Sequence, residues 1–90
     1  MALNQNNMNF VAEINIMTKK EILDPQGKAV KLGLGNLGIQ DVEDVRIGKH
    51  ITLNLSAETE AEAKNKVETA CQKLLANLIM ETYHYELKAV

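Results

Sequence analysis

Three glycines in this chain spell a familiar phosphate-binding pattern. Gly33-Leu-Gly35-Asn-Leu-Gly38 is a G-x-G-x-x-G, the turn with which dinucleotide-binding folds cradle a pyrophosphate. In those folds the glycines follow a strand and open a helix whose free N–H groups meet the phosphates. Here they close a helix, and Val42 follows too soon for another to begin. Helix ending and close packing account for them. Cys71 falls inside an apolar helical stripe, where a thiol serves as a small core group; a nucleophile needs exposure and an activating base. His50 and His84 stand outside any short metal-ligand spacing, so no metal site is expected. Glu58, Glu60 and Glu62 open a helix and read as a solvated face. Arg46-Ile-Gly48-Lys49 is different. A glycine lets a second backbone approach closely, and the two nearby cations make this a contact point for a partner protein or an anionic ligand.

Periodicity supplies the elements that position these residues. Phe10, Ala12, Ile14 and Ile16 alternate with Val11, Glu13, Asn15 and Met17, the period of a half-buried strand. Asp24-Pro25 starts a helix, with the carboxylate as cap and proline at the first helical position. Ala29, Val30, Leu34 and Leu37 share its inner face, and Gly38 is placed to end it. Gly33 and Gly35 weaken that helix by about 1 kcal/mol each relative to alanine. Val42 to Leu55 is extended, with Val45, Ile47, Ile51, Leu53 and Leu55 on one face. Arg46, His50, Thr52 and Asn54 take the other. Ser56 and Thr59 offer overlapping caps for a second helix, Thr59 and Glu62 having capping-box spacing. Its apolar stripe runs through Ala63, Val67, Ala70, Cys71, Leu74 and Leu78, and Glu60–Lys64 and Glu62–Lys66 have the favourable order. Ile79 to Leu87 is a last strand, with Ile79, Tyr83, Tyr85 and Leu87 on one face. Residues 1–9 read as a flexible polar tail and 10–90 as a single domain.

The middle segment is too long for the domain that must hold it. Its fourteen residues would span about 46 Å at roughly 3.3 Å each. A compact chain of this length has a radius of gyration near 12 Å and a diameter of about 31 Å. A three-residue loop at Gly48 to His50 would pair Ile47 with Ile51 and Val45 with Leu53, keeping the faces. A two-residue turn at Gly48-Lys49 would mix them. The choices are a wide hairpin, giving a β-α-β-β-α-β order, or one bent strand shared with a second subunit. Either leaves a sheet with two helices on one face, and the second predicts an oligomer.

Composition narrows the function classes. Ninety residues and 10.0 kDa make one domain, and 46% apolar with 24% charged residues is globular. Ten basic residues against twelve acidic ones give a net charge of −2, without a basic stripe. The aromatic residues are only Phe10, Tyr83 and Tyr85, so no stacking platform for nucleic acid is expected. No apolar run approaches the roughly 18 residues of a membrane span. A lone cysteine excludes an intrachain disulfide and fits a cytoplasmic setting.

Four stretches are familiar together: Ile22-Leu-Asp-Pro-Gln-Gly-Lys-Ala-Val30, Asp41-Val-Glu-Asp-Val-Arg-Ile-Gly-Lys49, Cys71-Gln-Lys-Leu-Leu-Ala-Asn77, and Tyr83 to Leu87. In register from about Phe10 to Leu87, the chain resembles the PurS family, the small subunit of multisubunit phosphoribosylformylglycinamidine (FGAM) synthase. It departs in its longer polar tail, in Leu78 where proline is frequent, and in Thr82 where an acid is frequent. The resemblance implies an α+β, ferredoxin-like small domain of three to four strands with two helices on one face. It implies a homodimer or dimer of dimers with no catalytic residues and no cofactor of its own. The implied partners are a glutaminase subunit, PurQ, and a synthetase subunit, PurL, which use glutamine, ATP and Mg. The role implied is assembly of the complex and passage of ammonia, a reactant that would be protonated and lost in open water. Asp24, Gln26, Gly27, Arg46, Gly48, Lys49 and Asn77 are the expected partner contacts, with Arg46 turned away from the core. The reading from a different class is a ferredoxin-like dimeric regulatory domain that binds a small molecule.

Overall fold

Strict alternation in the first strand builds the centre of the molecule. The computed structural model describes residues 7–90, so Met1 to Asn6 of the expected tail lie outside the described residues. Strand β1 spans Met8–Thr18 and takes in Met8 and Asn9. Helix α1 spans Pro25–Asn36, strand β2 Gly48–Ala57, helix α2 Glu60–Ala70 and strand β3 Glu81–Ala89. The sheet order is β2-β1-β3, and both pairings are antiparallel. Ile14 stands opposite Ile51 on one side and Tyr85 on the other, which brings the apolar positions of all three strands to one face. Phe10, Ala12, Ile14 and Ile16 are buried there with Val67 and Cys71. Among the described residues, no helix is long and apolar enough to cross a membrane.

Both helices begin as expected. Asp24 caps α1, its side chain accepting from the Gly27 amide at 3.0 Å, and Pro25 takes the first position. Thr59 caps α2 by accepting from the Glu62 amide at 3.1 Å, and Glu62 pairs with Lys66 at 3.3 Å. At the end of α1, Gly38 has φ +87°, with Gly38 N–H donating to Gly35 and Ile39 N–H to Leu34, a Schellman ending. The glycine pattern therefore closes a helix.

Three expectations are corrected. Residues 41–47 form no strand, so neither the wide hairpin at Gly48 to His50 nor one bent strand from Val42 to Leu55 occurs; the β1–β2 ladder ends at Met17 opposite Gly48, and β1 itself stops one residue later. The stripe through Leu74 and Leu78 does not continue inward. Cys71–Leu75 widens into a π turn, which rotates Leu74 outward to 80% exposure. Ile79 belongs to a turn before β3 instead of its inner face.

Within this chain it is α2 that lies against the sheet; the expected inner face of α1 is corrected too, since Ala29, Val30 and Leu37 are exposed, Leu34 is half-buried and only Gly27 is buried. The molecule measures 59 × 26 × 20 Å with a radius of gyration of 18.0 Å, well above the compact value of about 12 Å. One helix covers β1 but not its flanks. Ile51, Leu53, Leu55, Tyr83, Tyr85 and Leu87 are consequently only partly buried.

Candidate partner-binding junction

The seven candidate residues come together at one end of the sheet, where β1 stops and β2 and β3 start. Asp24 organises that end. One carboxylate oxygen accepts from the Gly27 amide at 3.0 Å and the other from the Ile47 amide at 2.9 Å. The start of α1 is thereby tied to the chain entering β2. These bonds, Ile47's first and Gly27's next, hold the carboxyl below its ordinary pKa. The lowered folded value means that the tie is fully present above the unfolded pKa of about 4 and is lost as the pH falls through the folded value. Melting temperature should therefore fall on acidification below about pH 4, and an Asp24→Asn variant should show less of that fall.

Gly27 is required by the same contact. A Cβ there would lie 2.1 Å from the Val45 carbonyl oxygen and 2.7 Å from the Asp24 carboxylate. Gly48 is similarly confined, since its Cβ would meet the Met17 sulfur at 2.1 Å and the Ile16 carbonyl oxygen at 2.6 Å. Arg46 does not face free solvent. Its Nη2 donates to the carbonyls of Thr18 at 2.9 Å and Lys19 at 2.7 Å, tying segment 41–47 to the end of β1. Arg46→Ala is therefore expected to cost about 1.5–3 kcal/mol of stability, the range for hydrogen bonds to a charged group. Urea unfolding of the variant checks it, and an unchanged midpoint would mean that water replaces the guanidinium at no cost.

Gln26, Gly48, Lys49 and Asn77 are the exposed members. Gln26 and Lys49 line a depression of about 240 Å³ with Thr18, Ile47, Gly48 and Glu81. Lys49 lies 3.7 Å from Glu81, whose other oxygen accepts from the Asn77 amide at 2.8 Å. The Asn77 side chain in turn accepts from the Ile79 amide at 3.1 Å, closing the turn before β3.

Two polar networks lie outside the expected set. On the packed face, Glu68 of α2 accepts from Tyr83 at 2.5 Å and Tyr85 at 2.9 Å, binding the helix to β3. Burial first, and that hydrogen bond next, push Tyr85 up to about 12. Burial, with the Glu68 charge, also pushes the Cys71 thiol up, opposite to what activates a nucleophile. On the outer face, Glu13 accepts from Thr52 at 2.6 Å and lies 3.0 Å from His50 Nε2. Acid and hydroxyl positions in separate elements carried no spacing signal for either network. Among the described residues, no group of three or more His, Cys, Asp or Glu side chains is placed to hold a metal ion.

Among the described residues, three antiparallel strands, one helix packed on the sheet and one tied to the segment entering β2 define a small ferredoxin-like α+β domain with a tightly organised end. The family profile matching residues 11–89 is PurS, phosphoribosylformylglycinamidine (FGAM) synthase. The chain belongs to the PurS family. It is 42% identical over 81 residues to the PurS subunit of that synthase from Synechocystis sp., covering 90% of this chain and 81% of the relative. Among solved structures, Thermus thermophilus PurS is similar with a TM-score of 0.80 and 43% identity, covering 91% of this chain and 98% of that one. A chain in the structure of PurLQS from Thermotoga maritima is similar with a TM-score of 0.78 and 29% identity, covering 91% and 98%.

Proposed function

We propose that this chain is the non-catalytic assembly subunit of an FGAM synthase complex in purine biosynthesis, holding a PurQ glutaminase and a PurL synthetase together and supporting ammonia transfer between them. The observation that carries this reading is the likeness, over nearly its whole length, to a chain in a PurLQS structure. Glutamine, ATP and Mg are used on the partner subunits, and the complex works in the cytoplasm. Gln26, Arg46, Lys49 and Asn77 meet the partners directly, while Asp24, Gly27 and Gly48 shape the junction that presents them. The regulatory-domain alternative has no comparable support, since the relatives reported above are synthase subunits.

The functional unit is a homo-oligomer, most simply a dimer that covers the half-buried sheet flanks and the exposed Val30, Leu32 and Leu37 of α1. A two-fold assembly also removes exposed strand edges. Reconstitution of glutamine-dependent amidine synthesis with and without this chain tests the assembly role, and equal rates would overturn it. Light scattering that returned a single 10.0 kDa particle would overturn the oligomer.

A further inference from the structure

The turn between α2 and β3 abuts the end of β1 and forms a surface outside the seven junction residues save Arg46. Leu78, Ile79 and Met80 are all exposed, Ile79 at 82%. The Lys19 amide donates to the Met80 carbonyl at 2.8 Å, which seats that turn against the end of the strand. Beside it runs an open groove of about 540 Å³, lined by Met17, Lys19, Lys20, Arg46 and Thr82, with Glu21 as its carboxylate. Lys19 and Lys20 make no ion pair among the described residues. Arg46 is already held by two backbone carbonyls, so its guanidinium is fixed before any ligand arrives. Within the groove itself these three cations stand against the one carboxylate of Glu21, so its lining is net positive on a chain of net charge −2.

The combination selects among occupants. A small anion would use the cations and leave the apolar turn without a purpose. Nucleic acid would need stacking rings, but Phe10 is buried and Tyr83 and Tyr85 sit on the packed face. A second copy would offer Glu60 and Glu62, which lie at the other end of the sheet, beyond Ala57. That contact would join opposite ends, a head-to-tail arrangement that builds rings or filaments instead of the two-fold dimer. An apolar anchor with a charged rim is the make-up of a protein interface. We propose that the Leu78-Ile79-Met80 turn, with Lys19, Lys20 and Arg46, docks a segment of a partner protein that carries carboxylates beside apolar side chains. This rests on the assembly reading and gives it a surface and a chemistry.

The test uses the full chain and its purified PurL and PurQ partners, with binding measured by calorimetry at low and moderate salt. The double variant Lys19→Glu/Lys20→Glu should bind about 10- to 100-fold more weakly and lose most of the salt dependence. Ile79→Ser should weaken binding about tenfold at either salt. Melting temperature and oligomeric state should stay as in the unsubstituted chain. If either variant fails to fold, Lys19→Gln/Lys20→Gln and Ile79→Ala replace them with the same expected directions. Unchanged affinity in both variants, alongside normal binding by the unsubstituted chain, sinks this surface and leaves the assembly role standing. No binding by the unsubstituted chain sinks the assembly role, and this surface with it. Binding of inorganic phosphate that the double variant abolishes, with protein association intact, overturns the proposal in favour of a small-anion site. Particles that grow with concentration, and stop growing in the double variant, overturn it in favour of head-to-tail self-association.

Discussion

Gly27→Ala is expected to loosen α1 from the rest of the molecule while leaving the three-stranded sheet paired. Alanine inside a helix gains about 1 kcal/mol over glycine. Here that gain loses to the clash. The added carbon would sit 2.1 Å from a backbone carbonyl oxygen, and a backbone cannot step aside as a flexible side chain can. Overpacking typically costs about 1–3 kcal/mol, and this contact belongs at the upper end. Relief requires Val45 to retreat, which takes Ile47 out of reach of Asp24. Amide exchange should therefore quicken at Gly27 and Ile47 well before it changes in β1. Gly33→Ala is the matching control, since a Cβ there meets nothing within 4 Å. It should stabilise by about 1 kcal/mol. A loss of stability in Gly33→Ala would instead place a second molecule against that face of α1.

Ile14→Ala should produce the largest fall in global stability. Ile14 is fully buried at the centre of the middle strand, in the cluster that includes Val67 and Cys71. Truncating such a side chain costs about 2–5 kcal/mol, through lost burial and the cavity left behind. A domain of this size has only about 5–13 kcal/mol in total. Ile14→Val, which removes one methyl group, should cost about 0.5–1.5 kcal/mol. Equilibrium urea unfolding measures both. Equal midpoints for the alanine variant and the unsubstituted chain would show that the sheet repacks around the gap.

The strands and α2 were legible because each carries its own period and, for α2, its own cap. The Asp24-Pro25 start and Gly38 end of α1 were legible for the same local reason. The junction was legible only in part. Asp24 was visible as a cap, but its second oxygen finds Ile47 across 23 residues, and no spacing rule reaches that far. Arg46 looked free because a guanidinium on a strand face usually is; its acceptors are backbone carbonyls of a different element, and carbonyls leave no trace in residue type. Val42, Val45 and Ile47 mimic a strand, yet β1 ends at Thr18 and offers no further edge, so side chains supply the bonds a ladder would have made. The outward turn of Leu74 follows from one extra residue per turn at Cys71–Leu75, which a 3.6-residue period cannot anticipate.

The strand order has a bearing on how the chain is made. Among the described residues, the middle strand of the sheet precedes both of its neighbours in sequence, and one of them comes after every other element. Phe10 ends opposite Ala89, so both helices and β2 must be synthesised before β1 gains its second partner. Until then Phe10, Ile14 and Ile16 lie on a strand with at least one bare edge, in the alternating pattern most apt to pair with a neighbouring nascent chain. Closure of the sheet therefore waits on the synthesis of β3. A pause in translation within α2 would leave this strand exposed for as long as the pause lasts.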